Sequence, residues 1–371
     1  MATFSLSLLA LLVYTYAGYP LLVALCARAW PKPVRPRADY EPTVSVCVTA
    51  HNGAAFIEAK LKSLLALDYP REKLEILVYS DGSSDDTEAV TQRFAADHPR
   101  VRLLASSARL GKPTGVNRLR DVAQGEVLLM SDVRQALAPR ALRALLEQLS
   151  DPDVGCASGS LVLAGETGAG AYWRYEKFIR GSEARLGSMV GVSGSLYAIR
   201  REDLPELPAD LLLDDMFVPL STLTQRKRIV MSTEAEAYDR AYGDEQEFGR
   251  KVRTLAGNYQ LVALMPWLLL PFKNPVWFQL VSHKLLRLLC PFALLGLLSS
   301  TLVLASVPGL AAGERWFWLA LCYAQLGFYG LALLGARAGR LGALARTFVV
   351  LNAAALVALW RFLTHTQSVA W

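Results

Sequence analysis

The sequence predicts an α/β domain on a largely parallel sheet, held between membrane-spanning helices. Three observations predict it. The two ends of the chain are long apolar runs, whereas the middle is charged and broken by turn residues. Short β-branched runs alternate with amphipathic stretches through that middle. Polar clusters fall where each of those runs ends.

The bulk composition agrees. Of 371 residues, 53% are hydrophobic and 19% charged, too apolar a mean for an ordinary soluble enzyme. The net charge of +6 is concentrated beside the apolar runs. There it orients a chain in a membrane and meets anionic lipid, and no basic-aromatic module points to nucleic acid. The five cysteines are odd in number and lack a CxxC pair, which argues against a disulfide framework or a zinc site.

The elements follow in order. The first run, from about Phe4 to Ala27, is long enough to span a bilayer. No basic residue precedes it, unlike a signal peptide, and Arg28, Lys32, Arg35 and Arg37 follow it, which predicts a cytoplasmic domain next. We read residues 1–30 as this helix and the Pro- and Arg-rich 31–42 as an extended linker. Residues 43–238 form the domain. "TVSVCVTA", "LEILVYS", "VRLLAS" and "EVLLMSD" read as strands; "AFIEAKLKSLLAL", Thr87–His98 and "GVNRLRDVA" read as helices. Residues 239–284, rich in Trp, Pro and basic side chains, read as interfacial amphipathic helices. Residues 285–371 hold about three spans, near Leu288–Val307, Trp316–Gly335 and Phe348–Leu363, with "ARAGRLGALAR" as a basic loop between the last two.

Several residue types carry chemistry. Asp81 closes the second strand, where a carboxylate can accept hydrogen bonds from a nucleobase or ribose. Ser84, Asp85 and Asp86 beside it also suit helix caps. Asp132 ends the fourth strand; one carboxylate with phosphate and water oxygens suffices for Mg²⁺ or Mn²⁺, and the alternative is a turn aspartate. Lys112, in a glycine-flanked loop before a helix, is a phosphate contact or simply solvated. Asp214 and Asp215 adjoin. Burial of such a pair raises one pKa and suits it to general-base work, Asp215 being preferred; the alternative is a helix N-terminus favouring acids. Arg250 and Arg253 share a helix face and reach either diphosphate or lipid headgroups.

In their order these motifs resemble the family 2 glycosyltransferases, in the membrane-bound, polysaccharide-synthase-like branch. The resemblance covers about Thr43 to His283. It implies a GT-A-type (Rossmann-like) nucleotide-sugar domain inserted between transmembrane helices. "VSVCVTAHNG", with Ala50 and Asn52, looks like the nucleotide-binding loop, and "YSDGSSDDT" implies that Asp81 meets the base. "GKPTGVN" looks like the lysine loop around Lys112. "MSDVR" stands where the metal-binding DxD belongs, giving Asp132. "GVSGSLYAIRR", with Gly194, resembles the wall of the sugar pocket. "LLDDMF" implies Asp215 as catalytic base with Asp214 beside it. "RKVRT" lies where QxxRW would be, with Arg253 as its arginine. The departures are Gly53 for the usual Glu, Arg134 for the second DxD acid, Arg250 for the glutamine and Thr254 for the tryptophan. Arg134 either points away or itself meets the diphosphate.

The expectation is an inverting transferase using a nucleotide-sugar, UDP-linked by preference. Its acceptor is a polysaccharide or a lipid-linked sugar, with export through the spans as an option, in a bacterial inner membrane with the domain cytoplasmic. The competing expectation, resting on Arg134 and the degraded last motif, is a non-catalytic assembly or regulatory subunit. A Rossmann dehydrogenase is disfavoured, because no GxGxxG follows the first strand.

Overall fold

A computed structural model of the chain describes residues 1–37, 39–164, 168–240, 244–308 and 310–368. Among the described residues, eight strands form one mixed sheet: β1 (Val44–Ala50), β2 (Leu74–Asp81), β3 (Val101–Ser106), β4 (Val127–Asp132), β5 (Ala136–Leu137), β6 (Val154–Ala164), β7 (Tyr197–Arg200) and β8 (Arg228–Arg240). Their order is β3-β2-β1-β4-β7-β6-β8-β5. The first four in that order run parallel. β7 then reverses direction between β4 and β6.

β1 is central and every residue in it is buried. Because alternate side chains point to opposite faces, it feeds two cores. Val46 and Val48 pack with Ile76 and Val78 against Ile57, Leu61 and Leu64 of helix Ala54–Leu65. Cys47 packs with Leu77, Tyr79 and Met130 against Val116 and Leu119 of helix Lys112–Val122. Helices on both faces leave the carboxyl ends of β1, β2 and β4 as the open edge, and the polar clusters collect there.

Among the described residues, three helical segments are long and apolar enough to cross a membrane: Ala2–Ala29, Trp277–Ser306 and Ala312–Leu363. Two details differ from the sequence reading. The second segment starts at Trp277, inside the stretch read as interfacial. A π-helical turn, Leu280–Leu285, carries His283 and Lys284 inward, so the polar residues do not interrupt it. In addition, "ARAGRLGALAR" is mostly helix. Gly335–Ala338 alone makes the turn between Ala312–Leu334 and Gly339–Leu363. Gly335 (φ +56°) and Gly339 (φ +70°) adopt backbone angles that reverse the chain in so few residues. The expected interfacial stretch also includes 241–243, and the expected final span region includes 309 and 369–371, which lie outside the described residues.

Helix Gly168–Leu186 joins the domain to these segments through a buried polar cluster. Tyr19 donates to Glu183 Oε1 at 2.6 Å, and His283 Nδ1 contacts the same oxygen at 2.9 Å. His283 Nε2 lies 3.2 Å from Glu176 Oε2, and Arg287 donates to Glu176 Oε1. Burial would raise the Glu176 carboxyl, but Arg287, Lys284 and His283 outweigh it and hold the group well below the usual carboxylate range.

Candidate active site

The loops after β1 and β2 are laced together. Asn52, at φ +50°, accepts a hydrogen bond from the Ser84 amide at 2.8 Å, and its own amide donates to Ser83 Oγ at 3.1 Å. Asp85 accepts from the Ala54 and Thr87 amides at 2.9 and 3.1 Å, so it caps two helices. Asp86 makes no side-chain cap bond. Ala50 is fully buried at the end of β1.

Asp81 differs from its expected role. Its carboxylate is fully buried and turned onto the next loop, accepting from the Leu110 amide at 2.7 Å and the Gly111 amide at 2.9 Å. It therefore holds the loop that presents Lys112. Gly82 permits that approach: its φ is +61°, and a Cβ there would stand 2.8 Å from Ala108 C and Arg109 N. Gly82→Ala is expected to cost about 1–2 kcal/mol from the left-handed backbone alone, with loss of nucleotide affinity as the loop shifts. A thermal-shift titration with a nucleoside diphosphate checks both.

Lys112 is the centre of the site. From the first turn of helix Lys112–Val122 its Nζ reaches Asp132 Oδ1 at 2.9 Å and Asp214 Oδ2 at 3.1 Å. Burial pulls its ammonium down, but Asp132 and Asp214, with Asp215 behind them, outweigh burial and keep it protonated. The contact to Asp214 is an ion pair outside hydrogen-bond geometry, so this buried oxygen accepts no hydrogen bond among the described residues. Asp132 keeps 33% of its side chain exposed at the mouth of the site.

Asp214 and Asp215 open helix Asp214–Thr222, so the two readings of this pair coincide in one place. The Asp215 backbone carbonyl accepts from the Val192 amide at 2.9 Å. Its carboxylate faces Gly194, where a Cβ would lie 3.5 Å from Oδ2. Burial, then the charge of Asp214, pushes the Asp215 carboxyl up to about 6, with Lys112 and Arg180 pulling the other way.

The two arginines separate. Arg253 lies within the field of Asp214, Asp215 and Asp132; burial lowers its pKa and those acids oppose the shift. Arg250 is more than half exposed and pairs with Glu247 at 3.6 Å, one turn back on its own helix. Arg134, where a second acid was expected, turns away: its Nε meets Asp239 Oδ1 at 2.7 Å, and its guanidinium lies 5.9 Å from the Phe56 ring centre. Sequence reasoning missed Arg180, which bears on Asp215 from helix Gly168–Leu186, a helix without a motif. It also missed Lys60, on the buried face of helix Ala54–Leu65.

No set of three His, Cys, Asp or Glu side chains suited to a metal occurs among the described residues. Asp132, with a third of its side chain exposed, nonetheless fits a hard cation that draws its remaining oxygens from a diphosphate and water.

The site thus gathers a lysine and three carboxylates beside the carboxyl edge of the mixed sheet. Residues 45–207 match the model of "Glycosyl transferase family 2". This stretch is thus a family 2 glycosyltransferase domain of GT-A fold, and the comparison covers under half of the chain. It is similar to glycosyltransferase AglD of Haloferax volcanii, 32% identical over 120 residues, covering 32% of this chain and 19% of that protein. It is also similar to a beta-monoglucosyldiacylglycerol synthase of Trichormus variabilis, 28% identical over 116 residues, covering 31% and 25%. The matches thus span a quarter or less of these relatives' lengths. Over nearly its whole length the fold is that of mannosyltransferase PcManGT from Pyrobaculum calidifontis, with TM-score 0.76, 24% identity, and coverage of 98% of this chain and 100% of that one.

Proposed function

We propose that the protein is an inverting glycosyltransferase. It moves a sugar from a nucleotide-sugar to the hydroxyl of a polysaccharide or lipid-linked acceptor at a membrane surface. The observation that carries this reading is Lys112 held between Asp132 and Asp214, with Asp215 alongside.

The chemistry follows from charge. The leaving diphosphate develops negative charge as the sugar's anomeric carbon–oxygen bond breaks and the electron pair goes to phosphate. Lys112, at a helix N-terminus, and Arg253 meet that charge. Asp215, ionised above about 6, takes the acceptor hydroxyl proton as that oxygen bonds the anomeric carbon from the opposite side. The configuration at that carbon inverts, and the products are the glycoside, the nucleoside diphosphate and a protonated Asp215. A divalent cation bound by Asp132 and the diphosphate would further offset the leaving-group charge.

UDP-sugars are the first choice of donor. The structural neighbour is described in complex with GDP-Man and Mn²⁺, so the test includes both nucleotides. The purified chain in detergent or nanodiscs is assayed for nucleoside diphosphate release from UDP- and GDP-sugars, with membrane extract as acceptor. Release from one donor, abolished by Asp132→Ala, supports the reading. Silence across the panel favours the non-catalytic alternative. Excess chelator is expected to slow turnover by at least about tenfold. Full activity in chelator would mean that Lys112 and Arg253 offset the charge alone.

A further inference from the structure

Lys60 lies outside the cleft, yet its position is costly. With Ile57, Leu61 and Leu64 it makes up the buried face of helix Ala54–Leu65. Only 1% of it is exposed. A methionine would fill a similar volume without the cost of desolvating an amine. Fold stability therefore does not explain a lysine here, and its contacts supply another reason.

Nζ donates to Ser131 Oγ at 2.6 Å and to the Gln135 carbonyl at 2.8 Å. These residues bracket Asp132, one before it and three after, so a single side chain spans the turn that carries this carboxylate. Ser131 Oγ in turn donates to the Ser195 carbonyl at 2.6 Å. Ser195 follows Gly194, the residue whose backbone faces the Asp215 carboxylate. Gln135 Nε2 donates to Asp239 Oδ2 at 2.8 Å, the aspartate that holds Arg134. The chain of bonds from Lys60 thus reaches both the Asp132 turn and the Gly194 wall without touching either acid.

We propose that Lys60 is a positioning residue that, through Ser131, fixes the spacing between the Asp132 turn and the Gly194–Asp215 wall. In the transferase reading, on which this inference rests, that is the spacing between donor diphosphate and acceptor hydroxyl. A slip of about 1 Å in such a spacing can lower a rate by about a hundredfold while leaving each half able to bind.

The test uses full-length protein in detergent carrying Lys60→Met, Ser131→Ala, or both. Nucleoside diphosphate release is measured from a donor the wild type turns over, together with the Kd for the free nucleoside diphosphate and the Tm. Each single variant is expected to lose about tenfold or more in kcat, with Kd within about threefold of wild type. Lys60→Met is expected to leave the Tm near that of wild type, because losing the desolvation cost of a buried amine offsets the Gln135 carbonyl left without its donor. The double variant is expected to lose no more than the worse single one, since both act through one connection. Ser131→Ala keeps the test open if Lys60→Met does not fold. Wild-type kcat in the variants, losses that multiply, or a kcat loss matched by equal loss of nucleotide binding or of Tm would each overturn the inference. A wild type silent on every donor overturns the transferase reading and this inference with it. An active wild type with unaffected variants overturns this inference alone.

Discussion

Asp215→Asn is expected to lower kcat by about a thousandfold, within the roughly 10²–10⁴ that a positioned general base contributes. Asparagine keeps the shape and the backbone bond to Val192 but cannot take a proton. Under the proposed function nucleotide binding rests on Lys112 and its loop and should survive, so the loss is expected in kcat and not in donor affinity. The pH dependence gives a second check. Burial and Asp214 raise the Asp215 carboxyl to about 6, and a base works only when ionised. Wild-type kcat should therefore rise with pH through about 6 and level off above it, and the mutant's residual rate should lack this limb. Because Asp214 and Lys112 adjoin it, the midpoint belongs to the cluster and not to one residue. A mutant with wild-type kcat would move the base elsewhere.

Glu176→Ala should have the largest effect on stability. It removes the carboxylate that Arg287, Lys284 and His283 share, leaving those groups in a buried setting. Removing one partner of a buried ion pair costs about 3–5 kcal/mol. The expected result is a markedly lower Tm in detergent and faster proteolysis near the junction, whereas Glu176→Gln, which keeps an acceptor oxygen, loses less. An unchanged Tm for the alanine variant would show that the junction adds nothing to stability.

The legible part of this protein is its parallel half. β1 to β4 are apolar runs ended by turn residues, so period and punctuation located them, with Asp81 and Asp132 at the ends of β2 and β4 and Lys112 where the loop after β3 enters its helix. The functional direction of Asp81 was not legible, because its inward turn depends on amides at Leu110 and Gly111 in a separate loop. Nor was the pairing of Arg134 with Asp239, which depends on β8 crossing the sheet to meet β5. Lys60 was legible in principle. It occupies an apolar position in the 57, 60, 61, 64 pattern, and a lysine on a buried helix face asks for a partner. Arg180 carried no such mark.

The polar junction also constrains the order in which the chain can be built. Tyr19 and Glu183 are 164 positions apart, and His283 meets Glu183 and Glu176 across 100 and 107 positions. The glutamates are synthesised long before their imidazole and guanidinium partners, which arrive at the start of the segment Trp277–Ser306. If Trp277–Ser306 enters lipid, an ionisable group arriving there without a partner is costly, and the segment gains a low-cost seat when helix Gly168–Leu186 is already formed. Insertion of the later segments would then be tied to prior folding of the domain, and a chain with a misfolded domain would present His283 and Arg287 without Glu176 and Glu183.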